Sequence, residues 1–548
     1  MNGDGHGKIF ILQNRAENMD DKPPKTSKKK EAKIEGYLIK NDDRIAVKTD
    51  FGTMLGGPAT GEMWDIDFAE VIEEFDDGEP VRIKVRQANI GKAIYDQKSW
   101  NADTFNELHP DYTHASESAH EKFLDMKFGM MIHWGFYAQL GIPESWPANA
   151  TRCDPEFLDV YYTLWQVFNP VQFDADEWAE LAQRAGMQFF QFTTKHHDGF
   201  CMYDTKTKTW ARKRISNQGP GIGGVEDVYI HYSIMDTKFK HDIVGELVNA
   251  FRKRDMGIGF YFSHIDWNDP NFRWDKANRS FDPSYNPDDY PQQWQAFIDR
   301  EKAQLREIFT NYGEIDQIFF DGTWFGLAKD SMIDIVLMCR ELQPNCMFSD
   351  RGLGPYGDFT SPERWIPHGP DDERLRGRKY WQVCDPIHGS WAWLPEDKYK
   401  TKERLLRNFI DAISKGGTYV FAISPMQTGR FPAKTVEILE FMGDWLEKYG
   451  EAIYETRTWK KPKEENAEIY YTASKDGNNL YLIHIGQPGG KIEVHGIVPF
   501  PESDMKLLDT EHKLEWSEKN AKLSIQVPKE IMESKSQEIA FVLKIRIN

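Results

Sequence analysis

The stretch that decides the fold is Gln317-Ile318-Phe319-Phe320-Asp321-Gly322. It is a short apolar run that follows a helical pattern, which reads as a buried parallel strand. It ends in a carboxylate and then a glycine. An acid placed where a strand opens into a loop meets solvent while the strand holds it rigid. On an eight-stranded α/β barrel, catalytic groups stand there, at the C-terminal ends of the strands.

On either side of this stretch, from about Phe128 to Gly450, apolar runs alternate with helical patterns. FGMMIHW (128–134), MQFFQFTTK (187–195), IGFYFS (258–263), QIFFDG, CMFSDR (346–351), YWQVC (380–384) and TYVFAIS (418–424) read as strands. Helical periodicity falls between them, near 175–185, 242–254, 291–311, 330–342 and 399–414, and again at 434–449. In the last of these, Val436, Leu439, Met442, Leu446 and Tyr449 recur at three or four and share one face. Strands alternating with helices imply a parallel sheet. Seven or eight such units over one domain fit a closed (β/α)8-like barrel, and GFYAQLG after the first strand is not the glycine fingerprint of a dinucleotide fold.

The flanks read differently. Residues 1–35 are polar, with Pro23-Pro24 and three consecutive lysines, and predict a mobile tail. Residues 36–115 alternate apolar and polar positions between turn-rich pieces, which predicts a β-rich extension. The barrel is expected over 116–455. Short runs such as AEIYYTA, NLYLIHI and IAFVLKI then predict an antiparallel β-sandwich over 460–548. The fold class is α/β with β-rich additions at both ends.

Composition narrows the function. The chain has 548 residues, net charge -19 and 14% aromatic residues. The acidity argues against general nucleic-acid binding, and no apolar run reaches the 18 residues of a membrane span. Five cysteines at unrelated spacings suggest neither a disulfide framework nor a zinc site. Flat aromatic faces suit sugar rings. The first residues lack a charged start followed by an apolar stretch. The expectation is therefore a cytoplasmic protein, or a periplasmic or secreted one whose leader has been removed.

Polar groups recur at the predicted strand ends: His133, then His196 and His197, Tyr261, Asp321 and Arg351. Glu363 follows in the next loop and Trp381 in the sixth strand region. Core packing alone does not account for three histidines, a tyrosine, an arginine and two carboxylates at one rim. A nucleophilic carboxylate on a strand and an acid/base carboxyl nearby suit glycoside hydrolysis. Close carboxylates push their pKa values apart, so that one is ionised while the other keeps its proton.

Beyond this reading, KFGMMIHWGFYAQ (127–139), FTTKHHDGF (192–200), DIVGELVNAFRKRDMGIGFYFS (242–263), FTNYGEIDQIFFDG (309–322), GDFTSPE (357–363), SKGGTYVFAISPMQTGRFP (414–432) and GDWLEKYGEAIY (443–454) together resemble the retaining α-L-fucosidases, glycoside hydrolase family 29. The resemblance implies a barrel with a C-terminal sandwich and exo-acting release of a terminal α-L-fucose, or a closely related sugar, by double displacement. It places the nucleophile on Asp321 and the acid/base on Glu363, with sugar contacts at His133, His196, His197, Tyr261 and Arg351. Two departures stand out. Phe319 replaces the usual tryptophan two positions before the nucleophile. The family's Glu-Trp pair is represented only by Glu144-Ser145-Trp146, early and interrupted. An α-L-galactosidase is therefore an alternative, since L-galactose differs from L-fucose by a 6-hydroxyl.

Two basic loops, 210–214 and 374–379, are expected on the catalytic face. Arg212, Arg214, Arg376 and Arg378 there could hold the sulfates of an algal-type glycan. The expected partner is an oligo- or polysaccharide, sulfated in that reading, and no cofactor is expected. The oligomeric state is open. A metal-dependent barrel hydrolase is a rival on the same fold, but adjacent residues of a strand face opposite ways. His196 and His197 would need a bent strand end to converge on one ion. A non-catalytic sugar-binding protein is the other rival, and Asp321 with Glu363 argues against it.

Overall fold

The computed structural model describes residues 108–547 apart from 149–154, 216–223, 273, 276–279, 282–286, 323–328, 352 and 376. It also gives the backbone of six strands between residues 31 and 90. Four of these, Arg44–Lys48, Glu31–Asn41, Val81–Arg86 and Phe68–Glu73, pair in that order as an antiparallel sheet. Residues 1–30, which hold most of the predicted tail, lie outside the described residues.

The barrel strands are β1 (Phe128–Ile132), β2 (Phe189–Lys195), β3 (Gly257–Ser263), β4 (Gln317–Asp321), β5 (Met347–Phe348), β6 (Gln382–Pro386) and β7 (Thr418–Ile423). All pair in parallel, in the order β5-β4-β3-β2-β1-β7-β6. The gap between β5 and β6 is closed by residues 359–363. Phe359 bridges Ser349, Thr360 bridges Trp381 and Glu363 bridges Cys384, each in parallel. Pro362 lies within this eighth member and has no N–H to donate, which is why it pairs as isolated bridges and not as a regular strand. Its carbonyl still accepts from Cys384 N at 3.0 Å.

The pleat of β4 explains the placement of Asp321. Alternate residues face opposite sides, so Ile318 and Phe320 pack outward while Gln317, Phe319 and Asp321 rise through the barrel interior in layers. Gln317 Oε1 accepts from Gln382 Nε2 at 2.9 Å in the lowest layer. Phe319 packs with Met131, Phe189, Tyr261, Cys384, Val420 and Ala422 in the middle, and Asp321 tops the stack. Gly322 then turns the chain with φ of 80°, a conformation that glycine adopts without steric cost.

The predicted helices form at Ala175–Arg184, Ile243–Arg252, Pro291–Asn311, Lys329–Leu342, Lys402–Ser414 and Ala433–Tyr449. Asp174 and Asp242 cap the first two through side-chain bonds to Glu177 N and Gly245 N, both 3.0 Å, which satisfies donors that would otherwise be orphaned. Leu439, Met442, Leu446 and Tyr449 are buried, as the periodicity requires. After the last helix come a six-stranded antiparallel sheet and a three-stranded one, which form the C-terminal sandwich. It docks through Trp445 Nε1 to the carbonyl of Ala540 (2.9 Å) and Lys127 Nζ to that of Thr456 (2.7 Å). Among the described residues no helix is long and apolar enough to cross a membrane. Cys201, Cys339, Cys346 and Cys384 are buried and unbridged.

Candidate active site

The site forms where β1 to β5 and the 359–363 segment open at their C-terminal ends. Asp321 is 6% exposed. Its Oδ2 accepts from the Tyr261 hydroxyl at 2.6 Å, and its Oδ1 accepts from Arg351 Nε and Nη2 at 3.1 and 3.0 Å. His197 Nε2 lies 3.8 Å from Oδ2. Burial alone would raise the carboxyl's pKa, but Arg351, His197 and Tyr261 together hold it below the usual carboxylate range. Asp321 is therefore an anion with its hydrogen bonds arranged around it.

Arg351 serves both candidate carboxylates, because its Nη1 also pairs with Glu363 Oε1. The Glu363 side chain is 40% exposed, so it faces the mouth while Asp321 faces the interior. The guanidinium also lies over the Phe319 ring, 5.1 Å from its centroid. Phe319 in turn stacks on Tyr261 at 5.5 Å and 19°. The floor of the site is thus an aromatic layer that fixes the arginine and the tyrosine holding Asp321.

The histidines converge because β2 is irregular at its end. Its pairing with β3 shifts register between Tyr261 and Phe262, a bulge that re-aims the residues beyond it. His196 and His197 then both turn into the site, with ring centroids 4.2 Å apart. His196 Nδ1 meets Ser145 Oγ at 2.5 Å and His197 Nδ1 meets Ser263 Oγ at 2.6 Å. Gly199 permits the turn: its φ is 77° and a Cβ there would lie 2.1 Å from Asp266 Oδ1. His133 is buried beside Tyr261, its Nδ1 without a hydrogen-bond partner among the described residues. Burial pushes its pKa down to about 3 and that of His196 well below the ordinary value. Both rings are neutral and can donate from one nitrogen and accept at the other.

Three residues discounted by the sequence reading join the site. Glu144 is buried and Oε1 accepts from Ala392 N at 2.9 Å. Burial pushes its carboxyl up to about 7, against the lowering effects of Arg364 and backbone bonds from Ala392 and Trp391. Ser145 holds His196, and the Trp146 ring packs 5.1 Å from that of His197. Trp267 and Trp391 complete the aromatic wall, 5.1 Å from His197 and 5.5 Å from His133. Glu144 to Trp146 were visible in sequence, but their position in a loop beyond β1 gave no spacing signal.

Other expectations need correction. Trp381 precedes β6 at the N-terminal end of the barrel, fully buried against Gly417, and takes no part in the site. The second basic loop, 374–379, does not gather its charges on the catalytic face. Lys379 lines a cavity with Lys127, Gly416 and Thr458, beneath the starts of β1 and β7. Arg378 pairs with Asp350 at 3.0 Å and donates to the Gly354 carbonyl. Arg212 is buried and pairs with Asp159 at 2.8 Å, and Arg214 Nη2 donates to Thr163 Oγ1 at 3.2 Å. These three arginines brace the fold because each meets an acceptor nearer than solvent. Arg376 lies outside the described residues. Among those described, no group of three His, Cys, Asp or Glu side chains is placed to hold one metal ion.

Comparison with known proteins gives a consistent picture. The family model for alpha-L-fucosidase matches residues 95–451, and that for the alpha-L-fucosidase C-terminal domain matches 463–546. The plasma alpha-L-fucosidase of Rattus norvegicus is 27% identical over 439 residues, 74% of this chain and 87% of that protein. The plasma enzyme of Homo sapiens is 26% identical over 425 residues, covering 72% and 82%. Alpha-L-fucosidase isoenzyme 1 from Paenibacillus thiaminolyticus superposes with a TM-score of 0.64 at 27% identity, covering 79% of this chain and 99% of that one. With the barrel, the sandwich and the paired carboxylates in place, these matches show that the chain is a glycoside hydrolase and belongs to the alpha-L-fucosidase family.

Proposed function

We propose that the protein releases a terminal α-L-fucose from an oligosaccharide with retention of anomeric configuration, Asp321 acting as nucleophile and Glu363 as acid/base. The observation that carries this reading is Arg351, whose one guanidinium spans both carboxylates. That arrangement favours the separation of roughly 5–5.5 Å used by retaining enzymes over the wider gap, about 6.5–9.5 Å, that admits a water in inverting ones.

In the first step an Asp321 oxygen bonds to the anomeric carbon as the exocyclic C–O bond breaks, and Glu363 gives its proton to the departing oxygen. In the second, Glu363 takes a proton from water as that oxygen attacks the same carbon and Asp321 leaves. Glu363 must release Arg351 and be protonated when substrate binds, and its position at the mouth gives it room. His133 Nδ1 and the neutral imidazole of His196 suit sugar hydroxyls, which both donate and accept. Trp146 and Trp267 suit the apolar face of the ring.

The internal pairing of Arg212, Arg214 and Arg378 favours a neutral leaving glycan over a sulfated one. Proton NMR of the first-formed sugar tests the mechanism: α-L-fucose appearing first is expected, and β-L-fucose first would refute it. Faster hydrolysis of an aryl α-L-galactoside than of the fucoside would move the substrate assignment to L-galactose.

A further inference from the structure

A hairpin with no part in the chemistry above follows β2. Its strands, Thr209–Arg214 and Val225–Ile230, pair antiparallel with Trp210 directly opposite Tyr229. Residues opposed in this way project from the same face, and the two rings meet at 5.4 Å and 52°. Trp210 is 50% exposed and Tyr229 56%, whereas Ala211 and Arg212 beside Trp210 are buried. The chain thus holds two large rings in water on a supported strand pair.

The hairpin is tied to the site. Asn268 Nδ2 donates to the Trp210 carbonyl at 2.9 Å. Asn268 directly follows Trp267, whose ring packs 5.1 Å from His197 and 5.4 Å from Trp146. From behind, Trp165 Nε1 donates to the Arg212 carbonyl at 2.9 Å. Asn268 therefore ties the aromatic wall of the site to the backbone of the strand that carries Trp210.

We propose that Trp210 and Tyr229 form a platform for the leaving-group sugars of the glycan, a binding site outside the pocket for the terminal sugar. This rests on the exo-glycosidase reading: the terminal sugar goes deep among the histidines, so the next residues emerge at the rim. A pyranose offers an apolar C–H face with its hydroxyls at the edge, so an aromatic face can cover one side while water keeps the other. The size of the patch argues for a sugar over a protein. Aromatic side chains bury about 150–250 Å² each, so two rings fall well short of the roughly 1,200–2,000 Å² of a stable protein interface.

The test compares Trp210→Ala and Tyr229→Ala with the parent enzyme on 4-nitrophenyl α-L-fucoside and on neutral fucosylated tri- to pentasaccharides. The ratio of kcat/KM for the best oligosaccharide to that for the aryl fucoside is expected to fall about tenfold for Trp210→Ala. Trp210→Phe should restore most of it. An unchanged ratio, or equal losses on both substrates, would overturn the platform. Saturation-transfer NMR with Asp321→Asn separates this from a failure of the proposed function. In that background the oligosaccharide's non-fucose ring protons should receive transfer that Trp210→Ala removes, whatever the turnover. Transfer that persists in the double variant contradicts the proposal.

Discussion

Asp321 and Glu363 share one arginine yet belong to different kinds of structure. Asp321 ends a regular strand, is 6% exposed and has hydrogen bonds on both oxygens. Glu363 ends a segment that pairs only through isolated bridges, and its side chain is 40% exposed. The contrast matches two tasks. A nucleophile must stay ionised and in line with one carbon, which a strand end and three fixed partners provide. An acid/base must exchange a proton with the leaving group and then with water, which needs access to the mouth and some freedom.

The largest test of this contrast is Asp321→Asn. The amide keeps the shape but cannot attack the anomeric carbon. Turnover is expected to vanish on every fucoside while thermal unfolding stays cooperative; near-normal turnover by the purified variant would end the nucleophile assignment. Glu363→Gln sharpens the comparison, because its loss depends on the leaving group. Oligosaccharide hydrolysis should fall at least about 10²-fold, the usual lower range for general acid catalysis. An activated aryl fucoside should instead accumulate the covalent intermediate and be rescued by azide. Small, equal losses on both substrates would move the acid role to Glu144.

Glu144 supplies a third carboxyl, and its effect is read through stability. Its pKa rises from the ordinary 4.5 to about 7 on burial. The folded state therefore holds a proton that the unfolded chain gives up between those values, and stability is lost as pH rises through that window. Glu144→Gln keeps the acceptor for Ala392 N and removes the titration. Its unfolding free energy should gain on the parent's between about pH 5 and pH 8, by an amount on the order of 3 kcal/mol, read as a Tm difference that grows with pH. A pH-independent difference would show that Glu144 does not titrate there. The smallest effect is expected for Arg214→Gln, whose guanidinium donates to Thr163 Oγ1. KM should change by less than about twofold, equally for neutral and sulfated substrates, since the guanidinium is held by Thr163 and not offered to the glycan. A selective rise for the sulfated substrate would restore the anionic-glycan reading.

Regular elements were legible in the sequence and irregular ones were not. The short apolar run of β4 put Asp321 at the end of a buried parallel strand, and the helical faces at 175–185 and 434–449 formed as their spacing required. Glu363 was read as a loop residue because Thr360-Ser361-Pro362-Glu363 lacks a strand pattern, yet those residues close the barrel. Trp381 was misplaced by the opposite error. It sits in an apolar run, but before the strand begins, and so falls at the wrong end of the barrel. Arg212, Arg214 and Arg378 were read as free to hold sulfates because sequence does not show Asp159, Thr163 or Asp350 waiting nearby.

The central claim, that Asp321 is the nucleophile, is tested most directly by trapping. The parent enzyme should be treated with a 2-fluoro-fucosyl fluoride, under which the second step is slow. Intact mass should then show one added fluorosugar per chain, and peptide mapping should place it on Asp321. An adduct on Glu363, Glu144 or any other carboxylate, or full turnover with no adduct, would contradict the account.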